Sequence, residues 1–255
     1  MKIVILGSGN VATHIGNAFH SRGHTIAQVY SRNKANAHAL ASVLNADTVD
    51  ALEDLNADAD LYFIAVSDSA IAAIADGLPP ITRAIVAHCS GATDMSVLSR
   101  FPLRGVIYPA QSLHKDTISV LADIPFGIEG SDATTENQLF RLMQEISPKS
   151  FLCNSEQRLA LHTAAVFANN FSNALFQIAY TILKEHKLSF DLLRPLILET
   201  AQKVQQQVPK TVQTGPAQRD DMETIQRHLQ FLRKNPDWLK IYQQLTKEIT
   251  RNKED

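Results

Sequence analysis

The sequence predicts an α/β fold in which an N-terminal doubly wound parallel sheet is followed by an all-α C-terminal domain. In the first half, short runs rich in Val and Ile alternate with alanine-rich helical stretches, as parallel strands with crossover helices require. After Cys153 no strand signal remains, and apolar residues recur at helical spacing. The predicted domains are therefore residues 1–153 and residues 154–255.

Strands and helices alternate along the first domain. Asp68 and Ser69, before the third helix, are of the residue types that cap helix N-termini. The strands are predicted at residues 2–6, 25–30, 61–66, 84–87, 105–108 and 125–128. The helices are predicted at residues 11–21, 34–44, 69–76 and 134–146.

Helices alone make up the second domain, at residues 155–185, 189–207, 220–234 and 236–250. The first of them carries apolar residues around its whole circumference, which predicts a helix buried on every side. Such a helix is either the central core element of the domain or is covered on its outer face by a second subunit. We favour the second arrangement, a homodimer.

Composition excludes several classes of function. Hydrophobic residues make up 45% and charged residues 20% of the 255 positions, as in soluble globular proteins. The net charge of −2 argues against nucleic acid or a membrane surface as partner. Two cysteines provide neither a disulfide framework nor a zinc spacing, so we expect no metal site and a cytoplasmic location. No apolar run has the length of an export signal or a membrane span, and we expect neither.

A glycine-rich turn follows the first strand and opens the first helix. Gly7, Gly9 and Ala12 have the spacing G-x-G-x-x-A, which allows a tight turn, close approach of a pyrophosphate to backbone, and close helix–strand packing. This context predicts a dinucleotide site of the Rossmann type, although a purely structural turn would have the same sequence. The predicted cofactor contacts of this turn are Gly7, Ser8, Gly9, Asn10 and Val11.

The second strand ends without the acidic residue that would accept hydrogen bonds from the ribose of NAD. Ser31, Arg32 and Asn33 stand there instead, and they suit a 2′-phosphate. The predicted cofactor is therefore NADP, the alternative being that Arg32 is an ordinary solvated residue.

Two further strand ends are expected at the same edge of the sheet. We predict that Val66, Ser67 and Ser90 contact the nicotinamide ribose through main chain and hydroxyl groups. Cys89 is assigned no chemistry, because no feature of the sequence activates it.

Seven short motifs are spread along the chain. They are GSGN (7–10), YSR (30–32), AVSD (65–68), HCSG (88–91), YPAQS (108–112), HTAAVFANNF (162–171) and TGPAQRDD (214–221), of which the last two are the most specific. With these motifs the chain resembles the NADP-binding Rossmann superfamily of pyrroline-5-carboxylate reductases, ketopantoate reductases and 6-phosphogluconate dehydrogenase-like enzymes, and most of all its Rossmann-like branch with a C-terminal helical domain of unknown function.

The resemblance implies that the first long helix of the C-terminal domain faces the nicotinamide, contacts substrate and helps to build the dimer. The hydroxyacid dehydrogenases of the superfamily carry a catalytic Lys on this helix, whereas here it has none before Lys184. At 100° per residue, His162, Asn169 and Asn173 lie within about 20° of one line. Such a polar stripe predicts a substrate site, or alternatively a polar seam between helices or subunits.

A second polar segment, at residues 214–221, precedes a predicted helix. Asp220 and Asp221 are explained as helix-capping acids. Arg219 has no such explanation, and we predict that it binds a carboxylate of the substrate, unless the loop is simply a surface turn.

Together these residues predict an NADP-dependent oxidoreductase that passes hydride between nicotinamide and a small C=O or C=N substrate. His162 is the predicted proton donor or acceptor, Asn169 and Asn173 orient the substrate, and Arg219 binds its anionic group. The alternative is an NADP-binding sensor or partner-binding protein without turnover.

Overall fold

The computed structural model describes residues 1–55, 58–115 and 120–254. Its sheet has eight strands in the order β3-β2-β1-β4-β5-β6-β7-β8, all parallel except at the β6–β7 pair. The strands are β1 (Lys2–Leu6), β2 (Thr25–Tyr30), β3 (Asp47–Val49), β4 (Leu61–Ile64), β5 (Ile85–His88), β6 (Arg104–Pro109), β7 (Phe126–Gly130) and β8 (Phe151–Leu152).

Helices cover the sheet and then continue without strands. They are α1 (Asn10–Ser21), α2 (Lys34–Leu44), α3 (Asp68–Gly77), α4 (Ala133–Gln144), α5 (Ser155–Ala165), a π segment (Val166–Phe171), α6 (Ser172–Glu185), α7 (Arg194–Gln206), α8 (Met222–Phe231) and α9 (Pro236–Glu254). Short 3₁₀ turns occupy Leu52–Asp54, Met95–Leu98, Leu121–Asp123, Phe190–Leu192, Pro209–Val212 and Leu232–Lys234.

This architecture confirms the predicted fold class. The β3 and β8 strands were not predicted, since runs of three and two residues carry no detectable alternation. The predicted capping role of Asp68 and Ser69 is wrong, because α3 begins at Asp68 and its N-cap, Ser67, makes no side-chain capping bond.

The sheet is buried on both faces. Alternate residues of β1 point to opposite sides: Ile3 and Ile5 belong to one core layer, and Val4 and Leu6 to the other, all with no exposed surface. A strand covered by helices on both sides must be apolar throughout, and this explains the uninterrupted apolar run that predicts β1.

The chain forms two compact units, of which the first is Met1–Asn169 and the second begins at Asn170. The first unit includes α5, which follows the last strand. The strands end close to residue 153, where the domain boundary is predicted, and that boundary stays a prediction. The two compact units are divided between Asn169 and Asn170, within the π segment.

The second unit buries very little of itself. Of its described residues only Ala217, Ile225 and Leu232 are buried. Helix 155–185 is not the central core element of the second domain, since Phe176 is 38% and Tyr180 is 42% exposed in the single chain, and its cover by a second subunit stays a prediction. Within the described residues, no helix combines the length and apolar character needed to cross a membrane.

Candidate functional site

The glycine-rich turn is built as its spacing predicts. Gly7 has φ of +130°, and a Cβ there would lie 2.1 Å from the carbonyl oxygen of Ala65, so only glycine fits without displacing β4. A Cβ on Gly9 would meet no atom within 4 Å. Gly9 is also the N-cap of α1 and provides no side-chain bond, so the backbone N–H groups at the helix start are open to an anion.

A cavity of about 530 Å³ lies at the carboxyl ends of the parallel strands. This is where open α/β sheets with this strand order bind dinucleotides. Ten of the eleven predicted cofactor residues line it: Gly7, Ser8, Gly9, Asn10, Val11, Ser31, Arg32, Asn33, Val66 and Ser67.

Of the three side chains that follow β2, those of Ser31 and Asn33 form hydrogen bonds within the chain. The Ser8 hydroxyl donates to Ser31 Oγ at 2.8 Å, and Asn33 caps α2 by accepting from the Asn36 N–H at 3.0 Å. Arg32 is exposed and makes no hydrogen bond or ion pair within the described part of the chain. Arg32 therefore lines the cavity with a guanidinium that no described residue of the chain engages.

The loop after β5 borders the other end of the cavity. Cys89 lines the cavity, but burial raises the pKa of its thiol to about 12, and the neighbouring Asp68 carboxylate adds to this effect, so it remains protonated. Ser90 does not line the cavity. Its hydroxyl accepts from the N–H groups of Ala92 at 3.1 Å and Thr93 at 2.9 Å, and therefore shapes the loop.

His162 contacts Tyr108, the first residue of the YPAQS motif, for which the sequence predicts no role. The Tyr108 hydroxyl lies 3.2 Å from His162 Nδ1, and the rings pack edge to face. Burial raises the pKa of Tyr108, so the phenol stays protonated, and the direction of its hydrogen bond with Nδ1 depends on the tautomer of the imidazole. A Cβ on Gly91 would lie 2.7 Å from both rings, so glycine makes room for the pair.

A buried ion pair fixes the helix that carries His162. Arg158, one turn earlier on α5, is 1% exposed and pairs with Glu129 of β7. Its guanidinium also donates to the carbonyls of Ser90 at 3.2 Å and Thr93 at 2.7 Å. Arg158 therefore ties α5 both to the sheet and to the loop that contains Gly91, a role that sequence reasoning missed.

The predicted polar stripe is only partly present. Asn169 donates to Ser112 Oγ at 2.9 Å, just after β6, and His162 contacts Tyr108 near the end of β6. Both residues therefore lie against the same part of the chain. A stripe through all three residues requires a regular α-helix, and this prediction is wrong at Val166–Phe171, where the helix is of the π type. Such single-turn π segments are frequent at functional sites. Asn173 is exposed and belongs to the second unit.

The segment before α8 lies in the second unit. Asp221 caps α8, and the bonds it accepts from the Thr224 N–H and hydroxyl lower its pKa, as the capping interpretation predicts. Asp220 does not cap the helix but forms an ion pair with Lys253. Arg219 is exposed beside Asp221. Among the described residues, no group of three His, Cys, Asp or Glu side chains is placed to hold a metal ion.

The strand order and the cavity at the carboxyl ends of the strands place the protein in the class of Rossmann-like NAD(P)-binding proteins. Residues 1–114 match the Rossmann-like domain family, and residues 124–249 match the domain of unknown function DUF2520. The chain belongs to the family of Rossmann-like proteins that carry a DUF2520 C-terminal domain. No curated protein matches it.

Two solved structures of similar proteins match this chain over almost its whole length, and a third matches most of it. BF3122 of Bacteroides fragilis, assigned as an NADP oxidoreductase, is 36% identical over 98% of both chains, with a TM-score of 0.87. TM1727 of Thermotoga maritima is 25% identical over 99% of this chain and 98% of that one, with a TM-score of 0.78. A reductive aminase of Aspergillus terreus in complex with NADPH is 16% identical over 80% of this chain and 73% of that one, with a TM-score of 0.66, and shows likeness of fold alone.

Proposed function

We propose that the protein is an NADP-dependent oxidoreductase that passes hydride between the nicotinamide and the C=O or C=N carbon of a small anionic substrate. One observation carries the proposal. A single unit holds a dinucleotide-sized cavity with a free arginine at the β2 end and the His162–Tyr108 pair just beyond Cys89 at the β5 end. The assignment of the Bacteroides fragilis relative as an NADP oxidoreductase supports it.

The residues of the cavity fit the cofactor. The open space at Gly9 and the uncapped start of α1 suit a pyrophosphate, while Ser31 and Arg32 suit the 2′-phosphate. The cofactor would supply hydride chemistry, and the protein would supply orientation and proton transfer.

His162 is the group in this unit best placed to exchange a proton with the substrate. Tyr108 holds Nδ1, so Nε2 is the ring nitrogen left to donate or accept. Asn169, held by Ser112, would orient the reacting group. Asn173 as a further orienting group and Arg219 as the anion-binding group stay proposals.

Removal of the Arg32 guanidinium tests the cofactor assignment. Arg32→Ala should weaken NADPH binding about tenfold to a hundredfold and leave NADH binding almost unchanged, because only NADPH carries the 2′-phosphate. Isothermal calorimetry with both nucleotides measures this difference. The matched control is Arg22→Ala, which removes an exposed arginine at the far end of α1. Equal affinity of the wild-type protein for NADH and NADPH would contradict the preference.

Turnover is tested separately from binding. Incubation with NADPH and a panel of keto acids and cyclic imines, followed at the nicotinamide absorbance, should reveal oxidation of NADPH by at least one substrate class. Tight NADPH binding without any turnover would favour the sensor or partner-binding alternative.

A homodimer forms part of the same proposal. A unit that buries only three of its described residues cannot be stabilised by its own core, since folded units depend on buried apolar surface. Its helices instead expose apolar side chains that a second copy would cover. They include Phe171, Leu175, Phe176, Tyr180, Leu196, Leu198 and Phe231.

Sedimentation at micromolar concentration should therefore show a species near twice 28.2 kDa. Phe176→Asp should shift the equilibrium towards monomer, because a charge buried in an apolar interface is costly. Glu156→Asp serves as control, because it exchanges one exposed acid of α5 for another and should leave the equilibrium unchanged. A stable wild-type monomer would overturn the dimer.

A further inference from the structure

Residues 112–115, here called the strap, join the end of the cavity to the start of α1. The Ser112 hydroxyl accepts from Asn169 at 2.9 Å, and Leu113 is buried and lines the cavity. The carbonyl of His114 accepts from His14 Nε2 at 2.9 Å, and the N–H of Lys115 donates to Asn10 Oδ1 at 3.1 Å. Each residue of the strap is thus fixed by a contact within the first unit.

These contacts bring Lys115 to the phosphate end of the site. Asn10 is the first residue of α1 and lines the cavity beside the open helix start. Lys115 lines a second cavity, of about 300 Å³, between α1 and α2. The two cavities share Ser8 and Asn36, so the lysine borders the same turn that borders the dinucleotide cavity.

The charge in the larger cavity is incomplete for the proposed ligand. Arg32 is the only charged residue among its described lining residues. NADP carries a pyrophosphate and a 2′-phosphate, which together bring about three to four negative charges at neutral pH. The ammonium of Lys115 is exposed and pairs with no acid in the described part of the chain.

We propose that Lys115 binds a phosphate of the dinucleotide and is, with Arg32, the second cation of the cofactor site. The inference rests on the proposed function. The flexible four-carbon stem of lysine suits a point-charge contact with a phosphate, and the strap fixes the backbone from which it extends.

Calorimetric titration of the full chain with NADPH and NADH tests the proposal without any substrate. Lys115→Gln should weaken NADPH binding about tenfold, and Lys115→Arg should retain most of the affinity because it keeps the charge. Lys149→Gln is the matched control, since it removes an exposed lysine of the same unit that pairs with Asp123. A loss confined to NADPH would identify the 2′-phosphate as the contact, and a similar loss with NADH would identify the pyrophosphate.

Three results would overturn the inference. Unchanged NADPH affinity in Lys115→Gln would show that the ammonium contacts no phosphate. Equal losses in Lys115→Gln and Lys115→Arg would show that the strap, and not its charge, matters. Failure of the wild-type protein to bind either nucleotide would overturn the proposed function itself. This result comes from the wild-type titration alone, whereas the other two come from the Lys115 variants.

Discussion

Replacing Arg158 with methionine should lower the free energy of unfolding by about 3 to 5 kcal/mol, the usual cost of breaking a buried ion pair. The side chain is 1% exposed, and its removal leaves the Glu129 carboxylate without its counter-ion. It also leaves the carbonyls of Ser90 and Thr93 without the donors that Arg158 provides. Urea unfolding followed by circular dichroism measures the change.

Two further variants show whether the buried charge is the cause. The double variant Arg158→Met/Glu129→Gln should be more stable than Arg158→Met alone, because the unpaired carboxylate is gone. Arg194→Met removes an arginine whose pair with Asp191 is exposed, and its effect on the free energy of unfolding should be much smaller than that of Arg158→Met. An Arg158→Met protein as stable as the wild type would show that the ion pair does not anchor α5.

The glycine-rich turn could be predicted from sequence because it depends on local backbone requirements. Gly7 adopts positive φ and lies against Ala65, which only glycine allows, and a Cβ on Gly9 would face open space, so the spacing of small residues indicates the geometry directly. The buried strands were predictable for a similar reason, since a strand covered on both faces shows a continuous apolar run.

Arg158 could not be predicted in this way. A charged residue near the start of a helix is normally solvated, and its partner Glu129 lies 29 residues earlier, on a strand of the antiparallel β6–β7 pair. Only the folded sheet brings the two together. Tyr108 stands at the end of a predicted strand, in the YPAQS motif, but nothing in the sequence specifies its contact with His162.

The polar stripe shows where helical periodicity fails. A π turn at Val166–Phe171 changes the angle between His162 and the residues beyond it, and no residue type in this stretch announces that change. Asn169 belongs to the first unit and donates to Ser112 there, but Asn173 belongs to the second unit.

Replacing His162 with glutamine should lower turnover by about a hundredfold to ten-thousandfold with the substrate identified from the panel. Glutamine retains a polar side chain near Tyr108 but cannot exchange a proton near neutral pH. NADPH affinity should change little, because His162 is not among the residues that line the cofactor cavity. Steady-state kinetics and calorimetry on the same preparation separate the two quantities.

The control for this variant is His38→Gln, which changes an exposed histidine of α2 and should retain full turnover. Tyr108→Phe keeps the ring contact but removes the hydroxyl that holds Nδ1, so it should lower turnover less than His162→Gln and leave NADPH affinity unchanged. Full activity of His162→Gln would remove the histidine from the mechanism. A loss of folding stability in place of turnover would favour the polar seam, because the Tyr108 hydroxyl and the imidazole would then only satisfy each other's hydrogen bonds.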